Sequence, residues 1–169
     1  SRRDEEQAKQ LALSMAKAIQ RRGPDSAGTW ADPGCGIAFG HRRLSILDLS
    51  PAGHQPMVSS SGRYVICFNG EIYNHNDLRR DLAATQIGIS WHGHSDTETL
   101  VAGFDAWGIK HTIAKAIGMF AIAVWDRRQQ ILTLIRDRLG EKPLYFGWQG
   151  EGRDRVLLFG SELSALRQH

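Results

Sequence analysis

Residues 119–125 form an unbroken apolar run, Met-Phe-Ala-Ile-Ala-Val-Trp, which constrains the fold more than any other stretch of the chain. In a strand, successive side chains point to opposite faces, so Phe120, Ile122 and Val124 would share one face and the residues between them the other. A strand that is apolar on both faces must be covered on both. The run therefore predicts a central strand in a two-sheet core, with Phe120, Ile122 and Val124 on the inner face.

The last third of the chain contains four strand candidates, at residues 119–125, 131–135, 144–148 and 156–159. Polar or glycine-containing turns separate them, and this spacing is typical of an antiparallel meander. Another short strand is predicted at residues 63–68, where β-branched and aromatic residues are concentrated.

Three helices are predicted before this block. Residues 4–20 place apolar side chains at every fourth position and acidic residues in the first turn. Residues 76–83 predict a short helix, and a clearer one begins at Ser95, because residues 95–98 (Ser-Asp-Thr-Glu) have the form of a capping box. Strands interleaved with helices predict an α+β domain with two stacked sheets and the helices outside.

Length and composition indicate one globular domain of 169 residues, 41% hydrophobic and 23% charged. The net charge is +3, and the arginine pairs are scattered along the chain, which argues against nucleic acid as a partner. No apolar run approaches the roughly 20 residues that span a bilayer, and the first residues lack the apolar core of a signal peptide, so no membrane association is expected. Having only Cys35 and Cys67 favours a reducing, cytoplasmic setting.

Two kinds of ligand site are not expected. Neither phosphate-binding loop, G-x-x-x-x-G-K-[ST] or G-x-G-x-x-G, occurs in the sequence, so we expect no nucleotide and no other cofactor in this domain. His92, His94 and Asp96 alternate, and in a strand they would share one face as metal ligands. Because a helix begins at Ser95, we expect exposed loop histidines and no metal site.

The tripeptide Asn69-Gly70-Glu71 follows the strand at residues 63–68 and has two interpretations. Asn-Gly is the commonest signal for a two-residue hairpin turn. Alternatively, the Asn69 amide and the next backbone N–H are two convergent donors at a rigid strand end, as a tetrahedral oxyanion requires. Residues 72–78 do not alternate as a return strand would, which favours the second interpretation.

Arg43 and Asp96 each have an ordinary explanation, as a surface arginine at a strand end and as a carboxylate favoured by a helix dipole. Together with Glu71 and the Asn69-Gly70 donors they describe a site for an amino acid. An arginine fork suits its carboxylate, two acidic side chains suit its ammonium group, and the oxyanion hole suits a side-chain carbonyl under attack.

Six ordered motifs carry a resemblance to a known family. They are Arg22-Gly23-Pro24-Asp25, Gly-His-Arg-Arg-Leu-Ser-Ile at 40–46, Asn-Gly-Glu-Ile-Tyr-Asn at 69–74, Ser-Asp-Thr-Glu at 95–98, Gly-Met-Phe-Ala at 118–121 and Arg-Asp-Arg-Leu-Gly-Glu-Lys-Pro-Leu-Tyr at 136–145. Over about residues 10–167 the chain resembles the glutaminase domain of glutamine-hydrolysing asparagine synthetases, which are class II amidotransferases. The resemblance implies a four-layer αββα fold of the N-terminal-nucleophile hydrolase type.

The resemblance also implies a role for each candidate site residue. Asn69 and Gly70 resemble the oxyanion hole, and Arg43 resembles the arginine that binds the glutamine α-carboxylate. Glu71 and Asp96 resemble the acceptors near the glutamine α-amine. The implied pocket lining continues with Leu44, Ser45, Ile46 and Leu47.

The family's nucleophile, an N-terminal cysteine followed by Gly-Ile and an apolar strand, has no counterpart in this sequence. Ser1 has a hydroxyl and an α-amine, but residues 2–5 are charged and not strand-like, which argues against it as a replacement. Residues 35–38, Cys-Gly-Ile-Ala, imitate the family's opening. However, Cys35 is linked through its nitrogen to Gly34 and has no free α-amine, so we expect structural cysteines at Cys35 and Cys67.

The sequence therefore predicts that residues 1–169 are a glutaminase domain, truncated before its catalytic strand and inactive as it stands. In the intact protein a cysteine thiolate would attack glutamine and release ammonia through a glutamyl thioester. The resemblance implies a C-terminal synthetase domain of the same polypeptide, absent here, that uses ATP and Mg²⁺ to activate a carboxylate, with aspartate as the default acceptor. It also allows a homodimer.

The alternative function is a non-catalytic glutamine-binding or interaction module that kept the pocket and lost the nucleophile. A Met-Cys-Gly-Ile opening upstream of Ser1 would distinguish the enzyme from the module.

Overall fold

The computed structural model describes residues 2–44, 50–85 and 88–169. The helices are α1 (Arg2–Lys17), α2 (His75–Ala83), α3 (Asp96–Trp107), α4 (Ile109–Lys115) and α5 (Leu163–Leu166). The strands are β1 (Ser26–Asp32), β2 (Ile37–Arg43), β3 (Met57–Val58), β4 (Tyr64–Ile72), β5 (Gly118–Asp126), β6 (Ile131–Arg136), β7 (Tyr145–Gln149) and β8 (Val156–Gly160). The three helices predicted from the sequence correspond to α1, α2 and α3.

The apolar run lies in β5, inside a four-stranded antiparallel sheet of order β3-β4-β5-β6. Its bulky side chains, Phe120, Ile122 and Val124, pack with Leu100 and Phe104 of α3. Ala123 and Trp125, which alternate with them, face the other way and pack against a second layer of strands. The strand is central and covered on both faces, as predicted, but Phe120, Ile122 and Val124 point to the helices and not to the second sheet.

The second layer consists of two antiparallel ribbons, β1-β2 and β7-β8. Phe39 of β2 and Phe159 of β8 meet edge to face, with ring centroids 5.7 Å apart, and both pack on Val65 and Trp125 of the four-stranded sheet. The predicted four-stranded meander is therefore wrong. Strands β5 and β6 belong to one sheet, and β7 and β8 belong to a ribbon of the other layer.

The connection that separates these two hairpins is organised by Asp137, directly after β6. Its carboxylate accepts hydrogen bonds from the backbone N–H groups of Phe120, Leu139, Glu141 and Lys142 at 2.9–3.2 Å. Burial alone would raise the pKa of Asp137, but these donors outweigh it and hold the pKa at about 2. The carboxylate thus fixes the loop that carries the chain from one layer to the other.

Helices cover the outer face of each layer. Helix α1 packs on β1 and β2 so closely that a Cβ at Gly40 would collide with the carbonyl oxygen of Ala12. Helix α5 lies beside β8, and α3 lies on the far side of the four-stranded sheet next to α2 and α4. The layers in space are therefore helix, sheet, sheet and helix, which is the four-layer αββα arrangement that the sequence predicted.

Candidate active site

Asn69 and Gly70 lie inside β4, where they pair with Ala121 and Phe120 of β5. The hairpin interpretation of Asn-Gly is therefore wrong, because the strand continues through both residues to Ile72. Gly70 has a packing reason of its own: a Cβ there would collide with the carbonyl oxygen of Met119 on β5. The predicted strand at residues 63–68 is correspondingly longer than expected.

The edge of β4 that faces away from β5 is paired with β3 only at Val65 and Ile66. Beyond them, the Phe68 N–H donates to the side-chain oxygen of Gln55 at 2.6 Å, and the Ile72 N–H donates to Asp96 at 2.9 Å. Backbone groups two residues apart point to the same edge of a strand. The N–H of Gly70, between Phe68 and Ile72, therefore points to this open edge as well.

The side chain of Asn69 points in a different direction from this edge. Alternation along β4 places Cys67, Asn69 and Glu71 on the face toward the ribbons. The Asn69 amide donates to the hydroxyl of Ser161, just after β8, at 3.5 Å. The two predicted oxyanion donors therefore lie on consecutive residues at one corner, where a face of the sheet meets its open edge.

Asp96 is buried at the start of α3. Ser95 caps this helix, because its hydroxyl accepts a hydrogen bond from the Glu98 N–H at 3.1 Å. One Asp96 oxygen accepts from Ile72 and the other from the Thr97 N–H at 2.8 Å. Burial raises the pKa of Asp96, and these hydrogen bonds oppose the rise. Asp96 thus joins the start of α3 to the end of β4, one residue beyond Glu71.

Arg43 ends β2, and its guanidinium donates to the Ser50 carbonyl oxygen at 3.0 Å. A Cβ at Gly53 would collide with this guanidinium, so the glycine makes room for it. Cys35, before β2, contacts Gln130 near the Tyr64 end of β4, and His41 contacts the Phe68 carbonyl further along. Arg43, two residues after His41, therefore lies toward the Gly70 end of β4. Leu44 is more than half exposed beside it. The remaining predicted lining residues, Ser45, Ile46 and Leu47, lie outside the described residues.

A cavity of about 660 Å³ lies between the two ribbons, and its lining includes Asn69 and Ser161. Its lining is largely apolar and comes from α1, β2, β4, β5 and β8. In the described part of the chain, β2 pairs only with β1, and β8 pairs only with β7, so their facing edges have no strand between them. The cavity therefore runs along two open strand edges and reaches Asn69, one of the two predicted oxyanion donors.

His41 lines this cavity, and the sequence did not single it out. Its Nε2 lies 3.1 Å from the Phe68 carbonyl oxygen, which can only accept, so Nε2 carries the proton. Burial lowers the pKa of His41 to about 4, although the hydrogen bond to Phe68 opposes this, so the ring is neutral at pH 7. Its Nδ1 is buried without a hydrogen-bond partner among the described residues.

Neither cysteine is arranged as a nucleophile. Cys67 lines the cavity, and burial raises the pKa of its thiol, which keeps it protonated. Cys35 lies in the turn between β1 and β2, where its sulfur accepts a hydrogen bond from Gln130 at 3.1 Å. Cys35 also contributes to the cavity lining, but it precedes His41 by six residues, and its nitrogen is bonded to Gly34, so it has no free α-amine to act as its base.

His92, His94 and Asp96 do not share a face. Glu98 accepts from the His92 N–H at 2.6 Å, and it is also held by Arg79, whose guanidinium lies 3.0 Å away. The Asp96 carboxylate is turned toward Ile72. In the ranges that the structure describes, no group of three His, Cys, Asp or Glu side chains is placed to hold a metal ion, and no helix is long and apolar enough to cross a membrane.

A family profile described as "Glutamine amidotransferase domain" matches residues 1–169. The Bacillus subtilis protein named glutamine-hydrolyzing asparagine synthetase 3 is 37% identical over 165 residues, which are 96% of this chain and 25% of that protein. The Saccharomyces cerevisiae protein named glutamine-hydrolyzing asparagine synthetase 1 is 36% identical over 161 residues, 94% of this chain and 26% of that protein. The chain thus spans about a quarter of the length of these relatives.

Among solved structures, the glutamine phosphoribosylpyrophosphate amidotransferase of Bacillus subtilis matches with a TM-score of 0.73 at 20% identity. The match covers 94% of this chain and 40% of the other. At this identity the likeness concerns the fold alone, and it agrees with the four layers described above.

Proposed function

Because the chain belongs to the glutamine amidotransferase domain family and is homologous to the glutaminase domains of asparagine synthetases, we propose that it releases ammonia from glutamine in the intact protein. The observation that carries the proposal is the corner of β4. There the Asn69 side chain lines the cavity, the Gly70 N–H points to the adjoining open edge, and Asp96 accepts from the Ile72 N–H two residues further along that edge.

In this proposal each group meets one part of glutamine. Arg43 binds the α-carboxylate, and residues 44–47 line the same pocket. Glu71 and Asp96 accept hydrogen bonds from the α-ammonium group. Asp96 already accepts two backbone N–H groups, but a carboxylate offers about four lone-pair positions, so it retains capacity for a third donor. The side-chain carbonyl of glutamine then lies against the Asn69 and Gly70 donors.

The proposed nucleophile is an N-terminal cysteine on a strand preceding residue 1. An apolar strand suits the cavity between β2 and β8, because it would pair with both open edges and bury its side chains against the apolar lining. Its thiolate adds to the glutamine carbonyl, and the α-amine of the cysteine delivers the proton with which ammonia leaves. Water then hydrolyses the glutamyl thioester to glutamate. The 169-residue chain alone is expected to be inactive.

The use of the ammonia is also part of the proposal. The relatives named asparagine synthetases are about four to five times as long as this chain. We assign the ammonia to a C-terminal synthetase domain that activates a carboxylate with ATP and Mg²⁺, with aspartate as the first acceptor to test. No cofactor is assigned to residues 1–169.

A non-catalytic glutamine-binding module is the second candidate, because the same arginine, carboxylates and donors would bind glutamine without turnover. The two candidates differ in one measurement. The enzyme releases ammonia from glutamine when the full-length chain is assayed, whereas the module binds glutamine and releases none.

Kinetics of Arg43 and Asn69 variants of the full-length protein test the assigned roles. Arg43→Ala removes one partner of a buried charged contact, which costs about 2–5 kcal/mol, or roughly 30- to 3000-fold in glutamine-dependent kcat/KM. Arg43→Lys keeps the charge but loses the paired geometry. Asn69→Ala removes a donor used most in the transition state, so kcat falls more than KM rises.

Ammonia-dependent synthesis is the internal control, because added ammonia bypasses the glutamine pocket. It is expected to persist in all three variants. Equal losses with glutamine and with ammonia would mean that these residues support the fold and not glutamine chemistry. An unchanged glutamine KM in Arg43→Ala would remove Arg43 from the site.

A further inference from the structure

The side chain of Gln55 holds the backbone immediately before the Asn69-Gly70 donors. Building on the proposed function, we propose that Gln55 is a positioning residue that sets the direction of the oxyanion-hole donors through the Phe68 peptide groups. Gln55 does not itself line the cavity, but it contacts Phe68, which does, and no motif in the sequence points to it.

Gln55 acts on Phe68 in the way that a neighbouring strand would. Only 6% of Gln55 is exposed. Its side-chain oxygen accepts from the Phe68 N–H at 2.6 Å, and its side-chain nitrogen donates to the Phe68 carbonyl at 3.1 Å. Strand β3 begins only at Met57 and pairs with Val65 and Ile66, so the Gln55 amide replaces the backbone pairing that β3 does not provide at Phe68.

Two further contacts connect Gln55 to the rest of the site. His41 of β2 donates to the same Phe68 carbonyl at 3.1 Å. This oxygen therefore accepts one hydrogen bond from Gln55, just before β3, and one from the ribbon layer. The Gln55 nitrogen also lies 3.4 Å from the hydroxyl of Thr97, the residue after Asp96. One amide therefore links the strand with the oxyanion donors to the helix with the proposed ammonium acceptor.

The Gln55 backbone packs directly against strand β1. A Cβ at Gly28 of β1 would collide with the carbonyl oxygen of Gln55, so the two backbones are in direct contact. The amide thus reaches Phe68 from a buried, packed segment and not from a mobile loop. A side chain held in this way can transmit a defined orientation to the strand it contacts.

The orientation of Phe68 matters because the peptide group that contains its carbonyl is followed directly by the peptide group that carries the Gly70 N–H. Misplacement of a catalytic group by about 1 Å costs about 10²-fold in rate, and loss of one oxyanion donor costs about 10²- to 10³-fold. A purely structural glutamine would behave differently. Its replacement would lower stability but would affect ground-state binding and the transition state alike.

Gln55→Leu and Gln55→Glu of the full-length protein test the inference. Leucine removes both hydrogen bonds, and glutamate keeps an acceptor for the Phe68 N–H but sets an anion against the Phe68 carbonyl. For both we expect kcat with glutamine to fall about 10- to 100-fold, with KM changing less than about threefold. Ammonia-dependent synthesis should be unchanged.

Inhibition gives a second readout that a merely structural role would not change. An aldehyde analogue of glutamine forms a tetrahedral adduct that needs the oxyanion donors, whereas glutamate, with a trigonal carboxylate, does not. In the Gln55 variants the aldehyde should bind about 10- to 100-fold more weakly while glutamate binding changes less than about threefold.

Thr112→Val is the matched control, because it also removes a buried polar contact. The buried Thr112 hydroxyl of α4 donates to the carbonyl of Gly108, the residue before that helix, at 2.9 Å and away from β4. We expect Thr112→Val to lower the melting temperature as the Gln55 variants do, with kcat and both inhibition constants unchanged.

The possible outcomes separate this inference from the proposed function. If the unaltered full-length protein releases no ammonia from glutamine, the proposed function fails. If it does, but the Gln55 variants keep the normal kcat and aldehyde affinity, Gln55 is not a positioning residue. Failure of both variants to fold would also overturn the inference, since the amide would then serve the fold itself.

Discussion

The four-stranded sheet and the two ribbons packed on it differ in how completely their strands are paired and covered. Strand β5 is paired on both edges and buried on both faces. In β7, by contrast, Phe146 is 66% and Trp148 59% exposed, and the cavity separates the ribbons. The more fully paired sheet holds Asn69 and Gly70, whereas the open ribbon layer leaves the cavity that reaches Asn69.

The comparison is tested most strongly by placing a charge in each layer. Phe120→Asp buries a carboxylate between β5 and α3 with no partner, and we expect it to abolish soluble folding. The matched variant Trp148→Asp puts the same group on the exposed ribbon and should leave the fold intact. Yields of soluble protein and circular dichroism measure both effects. A folded Phe120→Asp variant would contradict the central role of β5.

The contact between the layers at His41 predicts a pH dependence. The folded-state pKa is about 4, below the ordinary value of 6.5 for the unfolded chain. As the pH falls from 6.5 to 4, the unfolded chain binds a proton that the folded protein does not, so stability falls. The loss from this group reaches about 3 kcal/mol near pH 4 and levels off below it.

Urea unfolding at pH 7, 5.5 and 4 measures this loss, with His41→Gln as the reference for all other titrating groups. Glutamine can still donate to the Phe68 carbonyl but does not titrate. As the pH falls, the unfolding free energy of the unaltered protein should therefore decrease more than that of His41→Gln. Parallel pH curves would show that His41 is not held neutral between the layers.

Two strand glycines give a smaller test of how tightly the outer layer is covered. Gly40→Ala brings a Cβ against the Ala12 backbone of α1, and such overpacking costs about 1–3 kcal/mol. Gly147→Ala on β7 meets no atom within 4 Å and should change stability by less than about 1 kcal/mol. Chemical denaturation of both variants compares the covered ribbon with the open one. Equal losses would mean that α1 does not constrain β2.

Much of the fold follows from local pattern. The alternation in β5, the Ser95 cap and the apolar repeat of α1 each depend on neighbouring residues, so the central strand and three helices were predictable. The meander was not correctly predicted, because Asp137 redirects the chain through hydrogen bonds that no turn motif encodes. Spacing alone could not show that β7 leaves the sheet.

The site shows the same division. The candidate site residues were predicted from their chemistry and their motifs, and their roles stay predictions; they are Asn69, Gly70, Arg43, Glu71 and Asp96. Its supporting residues were missed, because their contacts join distant parts of the chain. These residues are Gln55 and His41, which contact Phe68 across 13 and 27 residues of sequence. Their roles depend on which strand edges remain unpaired, and this is decided only when the sheets assemble.

The Asp137 loop also has a thermodynamic consequence for the surface. Leu139 at its tip is 85% exposed, yet its backbone N–H is bonded to the Asp137 carboxylate, as are those of Glu141 and Lys142. Its conformational entropy was therefore lost when the domain folded. Any surface that covers Leu139 gains the burial of a leucine, about 1.5–3 kcal/mol, without the added cost of ordering a loop.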